Sequence, residues 1–152
     1  MATLARIIAV AAFFAFASDA GADEQRARVN YMIHCQGCHL PEAQGYPGKV
    51  PRMKNFVGYF LHSQEGREFI VRVPGVSTSI LPNEQLTELM NWLLLTYSAR
   101  QLPKNFVPFT VHEVTRLRPD LEPDPEKTRK GILERIAAEV PALAQELKAE
   151  IY

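Results

Sequence analysis

The stretch His34-Cys35-Gln36-Gly37-Cys38-His39-Leu40 sets two thiols three positions apart and puts an imidazole directly after the second. Three chemistries use such a set: a redox-active disulfide, half of a zinc site, or covalent attachment of haem through Cys35 and Cys38 with His39 on the iron.

Zinc is the poorest fit. A structural zinc site draws four Cys or His ligands from paired knuckles. This chain of 152 residues has 2 cysteines, both already in the motif, and His62 and His112 stand alone at wide spacings. A thioredoxin-like dithiol follows a strand in a βαβ unit, whereas the preceding ADEQRARVNYMI reads as helix. Cys-x-x-Cys-His is the attachment signature of c-type haem, and its spacing has a physical reason. Cysteines at i and i+3 of a helical turn project to one side, where they can add to the two vinyl groups on one edge of a porphyrin. The next residue then aims its imidazole at the iron as the proximal ligand.

Compartment bears on thiol chemistry too. Arg6, the apolar run of residues 7–17 and the small residues Ala20-Gly21-Ala22 make a secretory signal, with cleavage expected after Ala22. The run is too short to cross a hydrocarbon core, which needs about 20 residues. The expected divisions are therefore a signal peptide over 1–22, a haem-bearing unit over 23–100 and an extension over 101–152, with no membrane span after signal cleavage. Basic and acidic side chains number 17 each. That balance argues against a nucleic-acid binder, which would carry a basic excess.

Several elements must position the motif. Residues 23–34 predict a first helix with Val29, Met32 and Ile33 on its apolar face and Asp23 and Glu24 at its positive end. Pro41, Gly45, Pro47, Gly48 and Pro51 make residues 40–51 a loop. Residues 55–62 and 65–72 predict two short helices, the second ending before Pro74-Gly75. Pro82 suits the first position of a further helix. Its Leu86, Leu89, Met90, Leu93, Leu94 and Tyr97 then form one wide apolar stripe that must be buried. Trp92 lies off the centre of that stripe.

With these residues in view, the run YMIHCQGCHLPEAQGYPGKVPRM followed by PNEQLTELMNWLLLTY resembles a small class I cytochrome c of the bacterial periplasm. The resemblance covers about residues 23–100. It implies an all-α, class I cytochrome c-like fold, here with a C-terminal helical extension, whose first helix crosses the last near the haem edge. It also implies one covalent haem c with its iron and single-electron transfer. The partners would be a periplasmic dehydrogenase upstream and a further electron acceptor downstream, and the protein would not be an enzyme.

The chain departs from that family at the distal ligand. The family's methionine lies in the loop before the last helix, and here the loop reads VPGVSTSILPN, without methionine or histidine. Met53 is the expected sixth ligand, with an open or water-bound iron as the competing expectation; Met90 and His62 read as core and surface. An open iron would make the protein a sensor or weak peroxidase that binds CO, NO or peroxide. His34 and His112 receive no iron role.

After Tyr97 the prolines at 103, 108, 119, 123 and 125 predict an extended strap. Its Phe106, Val107 and Phe109 should lie on the core, and Thr110-x-x-Glu113 should cap a short helix. From Pro125 a second amphipathic stretch carries Ile132, Leu133, Ile136, Val140, Leu143 and Leu147, and Pro141 should divide it. A docking helix for a partner enzyme is the other use of such spacing.

Overall fold

The structure, a computed structural model, describes residues 18–150 and the side chains of residues 23–148. The apolar run of the expected signal, residues 7–17, lies outside the described residues. Helices α1 (Ser18–His34), α2 (Gln36–His39), α3 (Gln64–Arg72), α4 (Pro74–Ser77) and α5 (Asn83–Tyr97) precede residue 100. Helices α6 (Val111–Leu117), α7 (Pro125–Glu139) and α8 (Pro141–Glu150) follow it, and 3₁₀ turns span Val57–His62 and Ala99–Gln101. Among the described residues there is no strand, and an isolated bridge pairs Tyr46 with Val50. The chain is all-α. No described helix is long and apolar enough to cross a membrane.

Helix α1 runs through Ala22, so cleavage there would leave Asp23–His34 as helix. It packs most extensively on α5, but through a different face from the one expected. Ala27, Asn30 and Tyr31 are buried, while Val29, Met32 and Ile33 are exposed, Ile33 at 67%. The reason is aromatic. Tyr31 meets Trp92 and Tyr97 with ring centroids 5.7 and 5.4 Å apart, and Trp92 meets Tyr97 at 5.5 Å. Such a trio gains more from burial than three aliphatic side chains would, and Ala27, one turn before Tyr31, lets the helices approach.

The α5 stripe is buried as its spacing requires, with Leu86, Leu89, Met90 and Leu94 at most 7% exposed and Leu93 and Tyr97 half-buried against the core. Pro82 sits one place earlier than expected, as the extended residue before the first turn, and its carbonyl accepts the Leu86 N–H at 2.9 Å. Helix α3 is capped by Ser63, whose side chain accepts the Gly66 N–H.

The proline-rich segment straps the core as expected. Asn91 fixes it by accepting the Phe109 N–H at 2.8 Å and donating to the Phe109 carbonyl at 3.0 Å. Phe109 is buried and Phe106 half-buried, but Val107 points outward at 64% exposure. Phe106 and Phe109 take the inward positions, and Val107 and Pro108 between them stay in solvent. Thr110 caps α6 by accepting the Glu113 N–H at 3.2 Å. Pro141 divides the last stretch at extended Val140.

Ile132, Leu133, Ile136 and Leu143 are at most 4% exposed and join Tyr31, Ala43, Phe56 and Leu94 in one buried cluster. The apolar face of α7 is buried inside the chain, against α8, the first 3₁₀ turn and α3.

Candidate functional site

The motif follows α1 after a break at Cys35 (φ −124°, ψ −39°). The Cys35 N–H still bonds the Tyr31 carbonyl at 2.9 Å, and the Cys35 carbonyl accepts from Cys38 and His39 at 3.2 and 3.0 Å. Both thiols are unpaired; Cys35 is half-buried against the core and Cys38 is exposed. Burial, and then the neighbouring Cys38, push the Cys35 thiol up. An attacking thiol of a redox dithiol is shifted the other way, toward the thiolate.

Zinc loses ground for a geometric reason. Among the described residues no group of three or more His, Cys, Asp or Glu side chains is arranged to hold a metal ion, so Cys35, Cys38 and His39 do not converge on one point. Attachment to a porphyrin needs no such convergence: two sulfurs bond carbon and only the imidazole reaches the iron.

His39 is half-buried. Burial lowers its pKa, and the Pro51 carbonyl, which pulls the other way, is the lesser influence. The imidazole therefore favours its neutral, ligating form. Its Nδ1 is buried with no hydrogen-bond partner, so the Pro51 carbonyl stands near the ring without a formed hydrogen bond. A buried ring nitrogen without a partner is costly, and the Pro51 carbonyl is the acceptor beside it.

Behind His39 the chain makes a tight, left-handed loop. Leu40 (φ 67°, ψ 165°) lies in a region that is nearly glycine's alone, and Ala43 (φ 56°) and Gly45 (φ 64°) are also left-handed. Two non-glycine residues held this way store about 1–3 kcal/mol each. The His39 carbonyl accepts from Gly45 at 3.0 Å, and the Ala43 carbonyl accepts from Met53 and Lys54, both at 2.9 Å. Two hydroxyls reach in from the helices: Tyr31 Oη donates to the Leu40 carbonyl at 2.6 Å and Tyr97 Oη to the Pro41 carbonyl at 2.9 Å. Sequence reading missed this pair. Tyr31 carried no assigned role and Tyr97 read only as part of the apolar stripe.

No family model, curated protein or solved structure matches this chain.

Met53 is half-buried against the core, and its backbone ties the loop to Ala43. Met90 is core. A ring nitrogen of His62 pairs with the Gln101 carbonyl at 3.0 Å on the surface, which gives it a structural use away from the motif. His34 and His112 are exposed. Trp92 lines a shallow cleft with Asp23, Ala27, Glu88 and Leu95, and a second depression runs past Arg28, Val29 and Met32. Cys35, Cys38 and His39 line neither of these two clefts.

Proposed function

We propose that the chain is a c-type haem protein of the bacterial periplasm, with haem bound covalently through Cys35 and Cys38 and His39 as proximal iron ligand. The observation that carries the reading is the Cys35-x-x-Cys38-His39 turn itself, with two unpaired thiols on one turn beside a half-buried imidazole. The all-α architecture and the packing of α1 on α5 are compatible with a class I cytochrome c-like fold. Bound haem would supply a one-electron couple, while the chain sets orientation and edge exposure.

On this reading the protein carries single electrons from a periplasmic dehydrogenase to a downstream acceptor, and no side chain is catalytic. Met53 is the proposed sixth ligand. A second reading follows from the loop between α3 and α5, which contains neither methionine nor histidine. If Met53 stays in the core, the open iron binds CO, NO or peroxide and the protein is a sensor or weak peroxidase.

Expression with a c-type maturation system and a haem stain on a denaturing gel tests both. A stained band that persists in denaturant is expected; its absence removes both readings.

A further inference from the structure

The two tyrosine hydroxyls behind His39 come from different helices and end on consecutive carbonyls. Pro41 has no N–H, so its carbonyl is the backbone hydrogen-bonding group by which its peptide can be held, and Tyr97 Oη holds it at 2.9 Å. The Leu40 carbonyl takes Tyr31 Oη at 2.6 Å and the Ala43 N–H at 3.1 Å, which uses both lone pairs. The directions of the phenols are fixed by the packing of their rings on each other and on Trp92. Burial raises the pKa of each phenol, so both remain protonated donors.

Left-handed backbone at a leucine persists only where its surroundings over-determine it. Here that strained residue directly follows His39, whose ring has no hydrogen bond of its own at Nδ1. We propose that Tyr31 and Tyr97 are positioning residues for His39: by holding the Leu40 and Pro41 carbonyls they fix the strained turn and so the orientation of the imidazole. The packing of α1 on α5 is thereby transmitted to the proposed iron ligand. The inference deepens the haem reading, and its ligand-free arm stands apart from that reading.

The test compares the whole chain with Tyr31→Phe, Tyr97→Phe and the double variant, each first checked for helix content by circular dichroism. In the chain without haem, the ¹⁵N resonances of the His39 ring should form one sharp set in the wild type and lose that single environment in the double variant. Adding Leu40→Gly, which removes the strain the hydroxyls oppose, should restore it. In the haem-loaded chain, one set of ferric electron paramagnetic resonance g values should become several, and the midpoint potential should move.

Unchanged ring resonances and g values, with only the melting temperature lowered, would overturn the positioning role. Dispersed ring resonances in a chain that never stains for haem would retire the cytochrome reading and leave the clamp standing. Should the double variant not fold, Tyr97→Phe decides alone, because that ring sits at the margin of the core.

Discussion

The guanidinium of Arg67 grips the carboxylate of Glu113 with two parallel hydrogen bonds, Nε to Oε1 at 2.6 Å and Nη2 to Oε2 at 2.8 Å. The same group lies 4.0 Å above the Phe109 ring and donates to the carbonyls of Val107 and Pro108 at 2.7 and 3.2 Å. One cation on α3 thus satisfies the strap, whose prolines leave carbonyls without nearby N–H partners. Both side chains are largely dry, at 16% and 18% exposure. Arg67→Met should cost about 2 kcal/mol, below the usual range for a fully buried pair. For a chain of this size that lowers the melting temperature by roughly 4–8 °C, which differential scanning calorimetry would register; no change would mean the strap holds without the cation.

The same pair gives a pH dependence. Arg67 holds the Glu113 carboxyl below its ordinary value of 4.5, against burial, which raises it, and with the Thr110 backbone helping. A group whose folded pKa is depressed contributes stability in full above the unfolded value and loses it as pH falls through the folded one. Acid melts should therefore show a loss of stability beginning near pH 4.5 in the wild type. The Glu113→Gln variant should be less stable at neutral pH and fall off less steeply in acid. Parallel curves for the two proteins would exclude Glu113 as a source of the acid sensitivity.

Gly45 tests the loop behind His39. It is left-handed, and a methyl group there would sit 2.8 Å from the Pro51 carbonyl oxygen and closer still to that of Val50. Neither obstacle is a flexible side chain. Gly45→Ala should cost about 3 kcal/mol from strain and crowding together. Gly48 is left-handed too but faces open space, so Gly48→Ala should cost only about 1 kcal/mol. Urea midpoints for the two variants should separate clearly; equal midpoints would mean the loop yields.

What was legible in the sequence follows from how local each cause is. The α5 stripe, the Thr110 cap and the break at Pro141 depend on spacing or on one residue's chemistry, and each stands where it was expected. The motif was legible as residue types for the same reason. The buried face of α1 was not, because Val29, Met32 and Ile33 are the more apolar set and only the partners Trp92 and Tyr97, more than sixty positions away, favour Tyr31. The clamp on Leu40 and Pro41 was hidden for a related reason: a hydroxyl bonding to a distant carbonyl leaves no pattern in the chain.

Replacing both cysteines separates the proposed haem chemistry from a structural role for the thiols. The Cys35→Ser/Cys38→Ser variant should keep its helix content, since Cys38 is exposed and Cys35 only half-buried, and should carry no haem through denaturation. Each single variant should retain a weaker stain through the remaining thioether. Mass spectrometry of the exported chains checks all three. Loss of folding in the double variant without haem ever being present would instead assign the cysteines to packing.

Met53 decides between the carrier and the open site. It is half-buried against the core, and its N–H is tied to the Ala43 carbonyl at 2.9 Å, so the loop that holds His39 also anchors it. If its thioether is the sixth ligand, the ferrous spectrum of the wild type should be low-spin and indifferent to carbon monoxide, because methionine ligation closes the iron. Met53→Ala should then open the site and shift the spectrum on exposure to the gas. If the wild type itself responds at once, Met53 is core. Its truncation should then cost about 2 kcal/mol of stability and leave the response as it was, and the protein would take its place among haem proteins that bind small ligands.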